Sequence, residues 1–558
     1  MVILLSIRSF LLVTLLSGLS IAQGPASAES TASDPAEVSL EQGGGVGIGS
    51  VYVSLDSWVY PALNHLAAIG YIPDHVSNIG PLTRRECRRQ VEQALTKTST
   101  GAPQSVLRLI ADLRMECQDA RRMPGSVRLE SVYSRSTIIQ GSPLRDGYHF
   151  GQTVSNDYGR PYDRGFNNIS GLSAYAGAGP VFAYFRGEFQ HAGGRDGYSL
   201  PLRQFISGVD GNPLRDSVPI ARTNRFQPLE AYVGLRAGFE TITVGKQDIW
   251  WGPGVHSAYS FSSNAEPFYS VRFSQNAPLV LPGPLARFGK IRTEVVFGKL
   301  SGHQWPPRPL INAQKISFEL TDNLEVGLSR SAIFGGVGHP LTIRSIASSL
   351  FSTTSTTSGR KDPGDRHSGF DIRYRIPGFR RYLTIYSDSF ADDEVLPQVN
   401  PRRSVFAPGL HIAQIPGLKG FDLRFETYST WLFSEDHGGT FMYFNGDYHD
   451  SYTNNGLIFG SWVGRDARAY VASSTYWISG KSRLEGQYRQ IKTGNGFLPG
   501  GGTQTDGSVS AQWGLTSEWL IAATTQYERY FVPILGPARQ VLLGSFSLIF
   551  TPRESSSK

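Results

Sequence analysis

The stretch Phe370-Asp371-Ile372-Arg373-Tyr374-Arg375-Ile376 decides the fold. Phe370, Ile372, Tyr374 and Ile376 fall on one side of a period of two, and Asp371, Arg373 and Arg375 on the other. That is the period of a β-strand, whose successive side chains point to opposite faces. The same division recurs along the chain. Phe421, Leu423 and Phe425 alternate with Asp422, Arg424 and Glu426. Leu484, Gly486 and Tyr488 alternate with Arg483, Glu485, Gln487 and Arg489, and Phe185, Gly187 and Phe189 with Arg186, Glu188 and Gln190. A soluble sandwich also alternates, with its apolar face inward. A membrane barrel turns the apolar face to lipid and the charged face to its lumen.

Composition and turns favour the barrel. The 558 residues are 12% aromatic and only 18% charged, and they include 62 glycines. Mean hydropathy is −0.21, and beyond the N-terminus no apolar run approaches the roughly 20 residues of a spanning helix. Barrel strands hide from a window average because their two faces cancel. Every second connection is tight: Thr321-Asp322-Asn323, Pro377-Gly378-Phe379, Pro416-Gly417-Leu418, Ser479-Gly480-Lys481 and Thr516-Ser517-Glu518. The others are long, as at 191–228, 333–367 and 433–467. Short turns at one end and long loops at the other organise an outer-membrane barrel. The expected class is mainly β: a transmembrane antiparallel barrel of about 18 strands, preceded by a small N-terminal helical bundle. Residues 275–290 fit poorly, being long where a short turn is due, although Pro282-Gly283-Pro284 lies at their centre.

Four segments are expected. Residues 1–28 read as a signal peptide, with Arg8 as its only charge, an apolar core and small residues at Ser20-Ile21-Ala22 and Ala26-Ser27-Ala28. Residues 29–50 form a Ser/Gly-rich linker. Residues 51–125 form a periplasmic-side helical bundle, and 126–552 the barrel. In the bundle, Thr83 with Glu86 makes a capping box, and Pro103 opens a helix whose apolar face carries Val106, Leu107, Ile110 and Leu113. Cys87 and Cys117 lie in this region. They are disulfide candidates in an oxidising periplasm, and two buried free thiols are the other reading.

The net charge of +7 does not indicate nucleic acid, because the cations are interleaved with acids rather than gathered in a stripe. Arg186, Glu188, Asp422, Arg424, Glu426, Arg483 and Glu485 are expected to line the lumen. Enzyme signatures are missing: there is no G-x-S-x-G, no H-E-x-x-H and no paired C-x-x-C. Asp388, Asp392, Asp393 and Glu394 read as a solvated acidic loop, with calcium as the alternative. No cofactor and no metal is expected. The long loop at 433–467 carries Tyr443, Asn445, Asp447 and Tyr448, aromatic faces beside amide and carboxylate groups that suit a sugar or a ligand-free lid. Trp250-Trp251-Gly252-Pro253 and Ser263-Asn264-Ala265-Glu266-Pro267 fall at the outer rim in this topology. The tryptophans serve there as an interfacial girdle or as a stacking platform. Trp250, Trp251, Asn264, Glu266, Tyr443, Asn445, Asp447 and Tyr448 are the candidate ligand-binding residues.

Several stretches resemble the Wzi capsule assembly family. Ser57-Trp58-Val59-Tyr60-Pro61 and Leu82-Thr83-Arg84-Arg85-Glu86-Cys87 are similar to its helical part. Gly187-Glu188-Phe189-Gln190-His191, the two rim stretches and Gly464-Arg465-Asp466 are similar to its barrel. The resemblance implies an outer-membrane barrel with outward loops, a periplasmic helical bundle and a lectin-like, non-enzymatic role attaching capsular or exopolysaccharide to the cell surface. The implied partners are surface polysaccharide, outer-membrane lipid and the polysaccharide export machinery. A porin or export channel is the alternative function, and a hydrolase would need an acid pair that the sequence does not announce. One departure is that Phe550 is followed by Thr551 through Lys558, whereas such barrels commonly finish on an aromatic residue.

Overall fold

The computed structural model describes residues 49–553 except 76, 99–101, 119–125, 276, 352–363, 393–402, 416, 419 and 433–439. The signal-peptide and most of the linker assignments, and Asp393 and Glu394, lie outside the described residues.

Eighteen antiparallel strands close a barrel. In chain order they are β1 (Ser126–Gln140), β2 (Gly165–Ala178), β3 (Val181–Ala192), β4 (Thr223–Ala237), β5 (Glu240–Lys246) and β6 (Tyr269–Gln275). There follow β7 (Lys290–Lys299), β8 (Leu310–Thr321), β9 (Leu324–Phe334), β10 (Asp365–Arg375), β11 (Leu383–Asp392) and β12 (Ser404–Ile412). The last six are β13 (Phe421–Ser429), β14 (Ala467–Ser479), β15 (Ser482–Thr493), β16 (Gly502–Gly514), β17 (Trp519–Phe531) and β18 (Arg539–Phe550). Each strand pairs with its neighbours in sequence, and β1 closes on β18 with Val132 opposite Phe550 and Gln140 opposite Leu542. Full closure leaves no row of unpaired backbone groups facing lipid.

The alternation read in the sequence decides which side faces out. On β18, Phe546 is 52% exposed while Val541 is 1% exposed. Phe425 and Tyr488 likewise point outward, and Glu426 and Arg489 inward. The exposed aromatic and aliphatic belt fits hydrocarbon rather than water. Tight turns lie at one mouth: two residues join β2 to β3, β4 to β5, β8 to β9 and β14 to β15. In the last of these Gly480 takes φ +53°, a left-handed conformation that glycine adopts without strain. Residues 277–289 belong to a longer connection at the same mouth. Leu279 and Val280 extend the hairpin by pairing with Ile291 and Lys290, and Gly283–Phe288 folds as a short 3-10 helix.

Three helices cap this tight-turn mouth: α1 (Val59–Ala68), α2 (Arg84–Lys97) and α3 (Gln104–Glu116). Thr83 Oγ1 accepts from the Glu86 backbone N–H at 3.1 Å, so the capping residue starts α2 where the sequence indicates. Cys87 on α2 is disulfide-bonded to Cys117 just after α3, with Cα atoms 5.7 Å apart. The helices bury Leu63, Leu66, Val91, Ile110 and Leu113 in one core that also takes Trp477 from β14. The α3 residue Asp112 accepts from the Lys481 backbone N–H at 3.1 Å. The helical part thus rests on the barrel's own turns.

The lumen is filled by the chain itself. From the tight-turn side, residues 49–58 and 77–83 enter it. Asp56 binds Arg186 through both oxygens at 2.9 and 2.7 Å, Ser54 donates to Glu230 at 2.8 Å, and Asn78 donates to Asp371 at 2.6 Å. From the other side, loops 247–268 and 440–466 fold inward. They bury Trp251, Tyr259, Phe261, Tyr443, Tyr452, Phe459 and Trp462 in an aromatic core against Phe390 and Tyr428 of the wall. The two fillings meet: Ile79 and Gly80 pair as a short antiparallel bridge with Trp251 and Trp250.

Candidate functional site

Three expected placements change in the structure. Trp250 and Trp251 do not sit at the rim. The 247–268 loop dives into the barrel, where Trp251 is buried and its indole N–H donates to Glu294 of β7 at 3.0 Å. Trp250 is half-buried, with its indole N–H on the Gly252 carbonyl at 3.1 Å. Asp388 and Asp392 do not sit on a solvated loop either, but are buried on β11. The aromatic 440–466 loop turns its rings inward: Tyr443 OH donates to the Tyr259 carbonyl at 2.9 Å and Tyr448 OH to the Gly335 carbonyl at 3.2 Å. Asn445 accepts from the backbone N–H groups of Asp447 and Tyr448 at 2.9 and 3.1 Å, shaping a turn, and Asp447 is exposed. The sequence pattern could not show this inversion, because a lid and a core use the same aromatic residues.

Charged residues read as lumen-facing do point inward. Arg186 and Glu188 are buried on β3, where Arg160 holds Glu188 at 3.0 and 2.6 Å. Glu426 accepts from the backbone N–H groups of Val255 and His256, both at 3.0 Å. Arg424 donates to Tyr386 OH at 2.9 Å. Asp422 accepts from the Trp477 indole at 3.2 Å, and Arg483 and Glu485 lie 4.0 Å apart. These charges tie down the filling rather than line an aqueous channel.

A cavity of about 750 Å³ remains at the long-loop mouth, beside β3 to β6. Loops 141–164, 193–222 and 247–268 build most of it, with α4 (Leu200–Asp210) behind. Its wall includes Arg145, Arg160, Arg195, Arg225 and Lys246, against Asp146, Asp157 and Glu266. Arg145 is neutralised by Asp163 at 2.7 Å, Arg160 by Asp157 at 2.8 Å and Lys246 by Glu266. Among the described residues Arg195 and Arg225 have no carboxylate partner, so the mouth of the cavity carries surplus positive charge. Tyr162 and Tyr198 add ring surface, and Tyr198 OH donates to Asp146 at 3.2 Å. Of the expected binding set, Asn264 and Glu266 belong to this wall. Asn264 donates to the Ile458 carbonyl at 2.9 Å, and Glu266 also accepts from Asn455 at 2.9 Å.

One clamp holds the wall together. His149 contacts Asp146 through Nδ1 and Asp210 through Nε2, both at 2.9 Å. Burial opposes a charged imidazole, but the adjacent Asp146 and Asp210 carboxylates outweigh it and raise His149 to about 9. Asp210 also accepts from Arg465 at 3.0 Å, and the Arg465 guanidinium lies over the rings of Phe444 and Phe497 at 4.7 and 4.5 Å. At the opposite mouth, burial disfavours ionised Glu86, yet Arg292 and Arg89 hold it down at about 2. Pattern reading missed the cavity residues, although the dense run of Arg, Asp and Tyr between 145 and 164 was visible.

The sequence profile of the capsule assembly protein Wzi matches residues 134–541, most of the barrel. The chain belongs to the Wzi capsule assembly family. The solved Wzi outer-membrane protein of Escherichia coli is described as involved in group 1 capsule assembly and as a carbohydrate-binding β-barrel. It aligns with a TM-score of 0.67 at 14% identity, over 91% of this chain and all of that one. An uncharacterized 55.8 kDa protein in the cps region of Klebsiella pneumoniae is 25% identical over 187 residues, 32% of this chain. The match spans 36% of that curated relative's length. The closed barrel with its minor helical part is thus the Wzi fold.

Proposed function

We propose that this Wzi-family barrel is a lectin-like surface protein that holds capsular or exopolysaccharide at the outer membrane and catalyses no reaction. The long loops face the medium, and the helical part faces the periplasm within reach of the export machinery. The observation that carries the reading is the cavity at the long-loop mouth. Its Arg195, whose guanidinium lies over the Tyr198 ring at 5.8 Å, and Arg225, both without a carboxylate partner among the described residues, offer charge-assisted hydrogen bonds to acidic sugar units. Tyr162 and Tyr198 offer ring faces on which a sugar's apolar face packs. Glu266 and Asn264 complete the polar edge. The filled lumen favours this reading over a porin, because Asp56, Asn78 and the 440–466 loop occupy the path a solute would take.

The test uses the purified full-length chain and a panel of uronic-acid-containing and neutral oligosaccharides. Binding should favour the acidic ones. Each charge-assisted hydrogen bond contributes about 1.5–3 kcal/mol, so the Arg195→Ala/Arg225→Ala double variant should bind at least ~10-fold more weakly. A deletion strain should shed polysaccharide into the medium. Unchanged glycan binding by the double variant, or polysaccharide that stays on the deleted cells, would refute the proposal.

A further inference from the structure

Near the long-loop end of β10 and β11, Asp365, His367 and Asp392 converge. Asp365 and His367 stand two residues apart on β10 and so share the inward face, and His367 is directly opposite Asp392 of β11. All three are buried. His367 Nε2 lies 3.1 Å from Asp365 Oδ1 and 3.4 Å from Asp392 Oδ1, and one donor atom from each residue falls within 4.8 Å of the others. These approaches are close but lack hydrogen-bond geometry. Both Asp365 oxygens, His367 Nε2 and Asp392 Oδ1 are without a hydrogen-bond partner among the described residues.

We propose that Asp365, His367 and Asp392 bind a divalent transition-metal cation of the zinc class. Zinc–nitrogen and zinc–oxygen bonds of ~2.0–2.2 Å in a tetrahedral shell set neighbouring donor atoms ~3.3–3.5 Å apart, close to the two separations observed. One Asp365 oxygen, His367 Nε2 and Asp392 Oδ1 supply three donor atoms, and a water would complete the tetrahedral shell. The outer contacts orient these donors. Ser331 Oγ lies 3.4 Å from His367 Nδ1, which leaves Nε2 to the cation, and the Tyr443 backbone N–H donates to the other Asp392 oxygen at 2.7 Å. Phe390 stacks on the imidazole at 5.2 Å and Tyr452 meets it edge-on at 4.5 Å. No Lys or Arg pairs with either carboxylate among the described residues, so a dication balances two buried negative charges. The imidazole and the tight spacing favour zinc over calcium or magnesium, which take six or more oxygens or keep their waters. The ion ties β10 to β11 and, through Tyr443, fastens the inward loop to the wall.

The full-length chain, purified without chelator, should carry about one equivalent of zinc by elemental analysis. Stripped protein titrated with CoCl2 should show visible d–d absorption saturating at one equivalent, and ZnCl2 should raise its Tm. His367→Gln and Asp392→Asn, shown folded by heat-modifiable migration on gels, should lose the metal and the Tm response. If either variant fails to fold, the wild-type cobalt titration still decides. Wild-type protein that gives no cobalt band and no Tm response to ZnCl2 overturns the proposal, as does a folded His367→Gln variant that keeps its equivalent of zinc. In the first case the three groups share a proton instead. Glycan binding is read separately, so this site and the cavity stand or fall independently.

Discussion

The two mouths of the barrel are closed by different means. At the tight-turn mouth, helices joined by a disulfide sit on short turns, and buried ion pairs fasten this closure to the wall: Asp56 with Arg186, Glu86 with Arg292, Arg84 with Glu130. At the long-loop mouth the closure is made by loops that fold inward as an aromatic core, and it leaves a polar cavity with two unmatched arginines beside it. Matched charge and covalent crosslinking make a stopper. Unmatched charge over a preformed cavity makes a binding surface, since a bound anion supplies what the protein lacks. On the proposed function, sealing falls to one end and recognition to the other.

The sharpest way to break this comparison is Trp251→Ala. If the inward loop is core, the substitution empties a large buried volume and leaves Glu294 without its indole donor. It should cost about 4–5 kcal/mol, read as a fall in the urea midpoint of folded barrel. A surface platform would lose glycan affinity and keep its stability, so that outcome would return Trp251 to the rim.

The stopper is tested next. Cys87 and Cys117 are 30 residues apart, and closing a loop of that length removes unfolded-state entropy worth about 3.5 kcal/mol. The Cys87→Ser/Cys117→Ser variant should therefore unfold its helical part at lower urea, followed by fluorescence of Trp58, while the barrel still migrates as folded. A midpoint equal to that of the wild type would show that the helices owe their stability to the barrel surface alone.

Much of the architecture was legible because lipid and lumen impose a strict alternation. Phe370 through Ile376 carries its two environments on its face, and Gly480 and Thr83 mark a turn and a cap through local chemistry alone. The interior was less legible. Whether Tyr443 and Tyr448 look outward or inward depends on where a long loop travels after it leaves the wall, and local pattern does not encode that path. Asp365, His367 and Asp392 are likewise united by register across two strands rather than by spacing in one. The cavity arginines are spread over loops 141–164 and 193–222 and strand β4, and only the folded barrel brings them to one wall.

The smallest of these effects concerns the clamp behind the cavity. His149 titrates near 9 in the folded protein, above the roughly 6.5 of a free imidazole. A raised value means that the native state holds its proton more tightly than the unfolded state, so the His149 contribution is present in full below about 6.5 and is lost as pH climbs through about 9. Each unit of that rise is worth about 1.4 kcal/mol, so the loss amounts to about 3 kcal/mol, while Asp210 keeps Arg465 at 3.0 Å when the imidazole is neutral. The advantage of the wild type over His149→Gln should shrink by that amount between pH 6.5 and 9.5 in urea titrations. Glycan affinity should weaken over the same interval, because Asp146 and Asp210 position the cavity wall through this ring. An advantage independent of pH would mean that His149 is neutral and that the loops are joined by Arg465 alone. In that case recognition at this mouth would rest on the unmatched arginines without the charged clamp behind them.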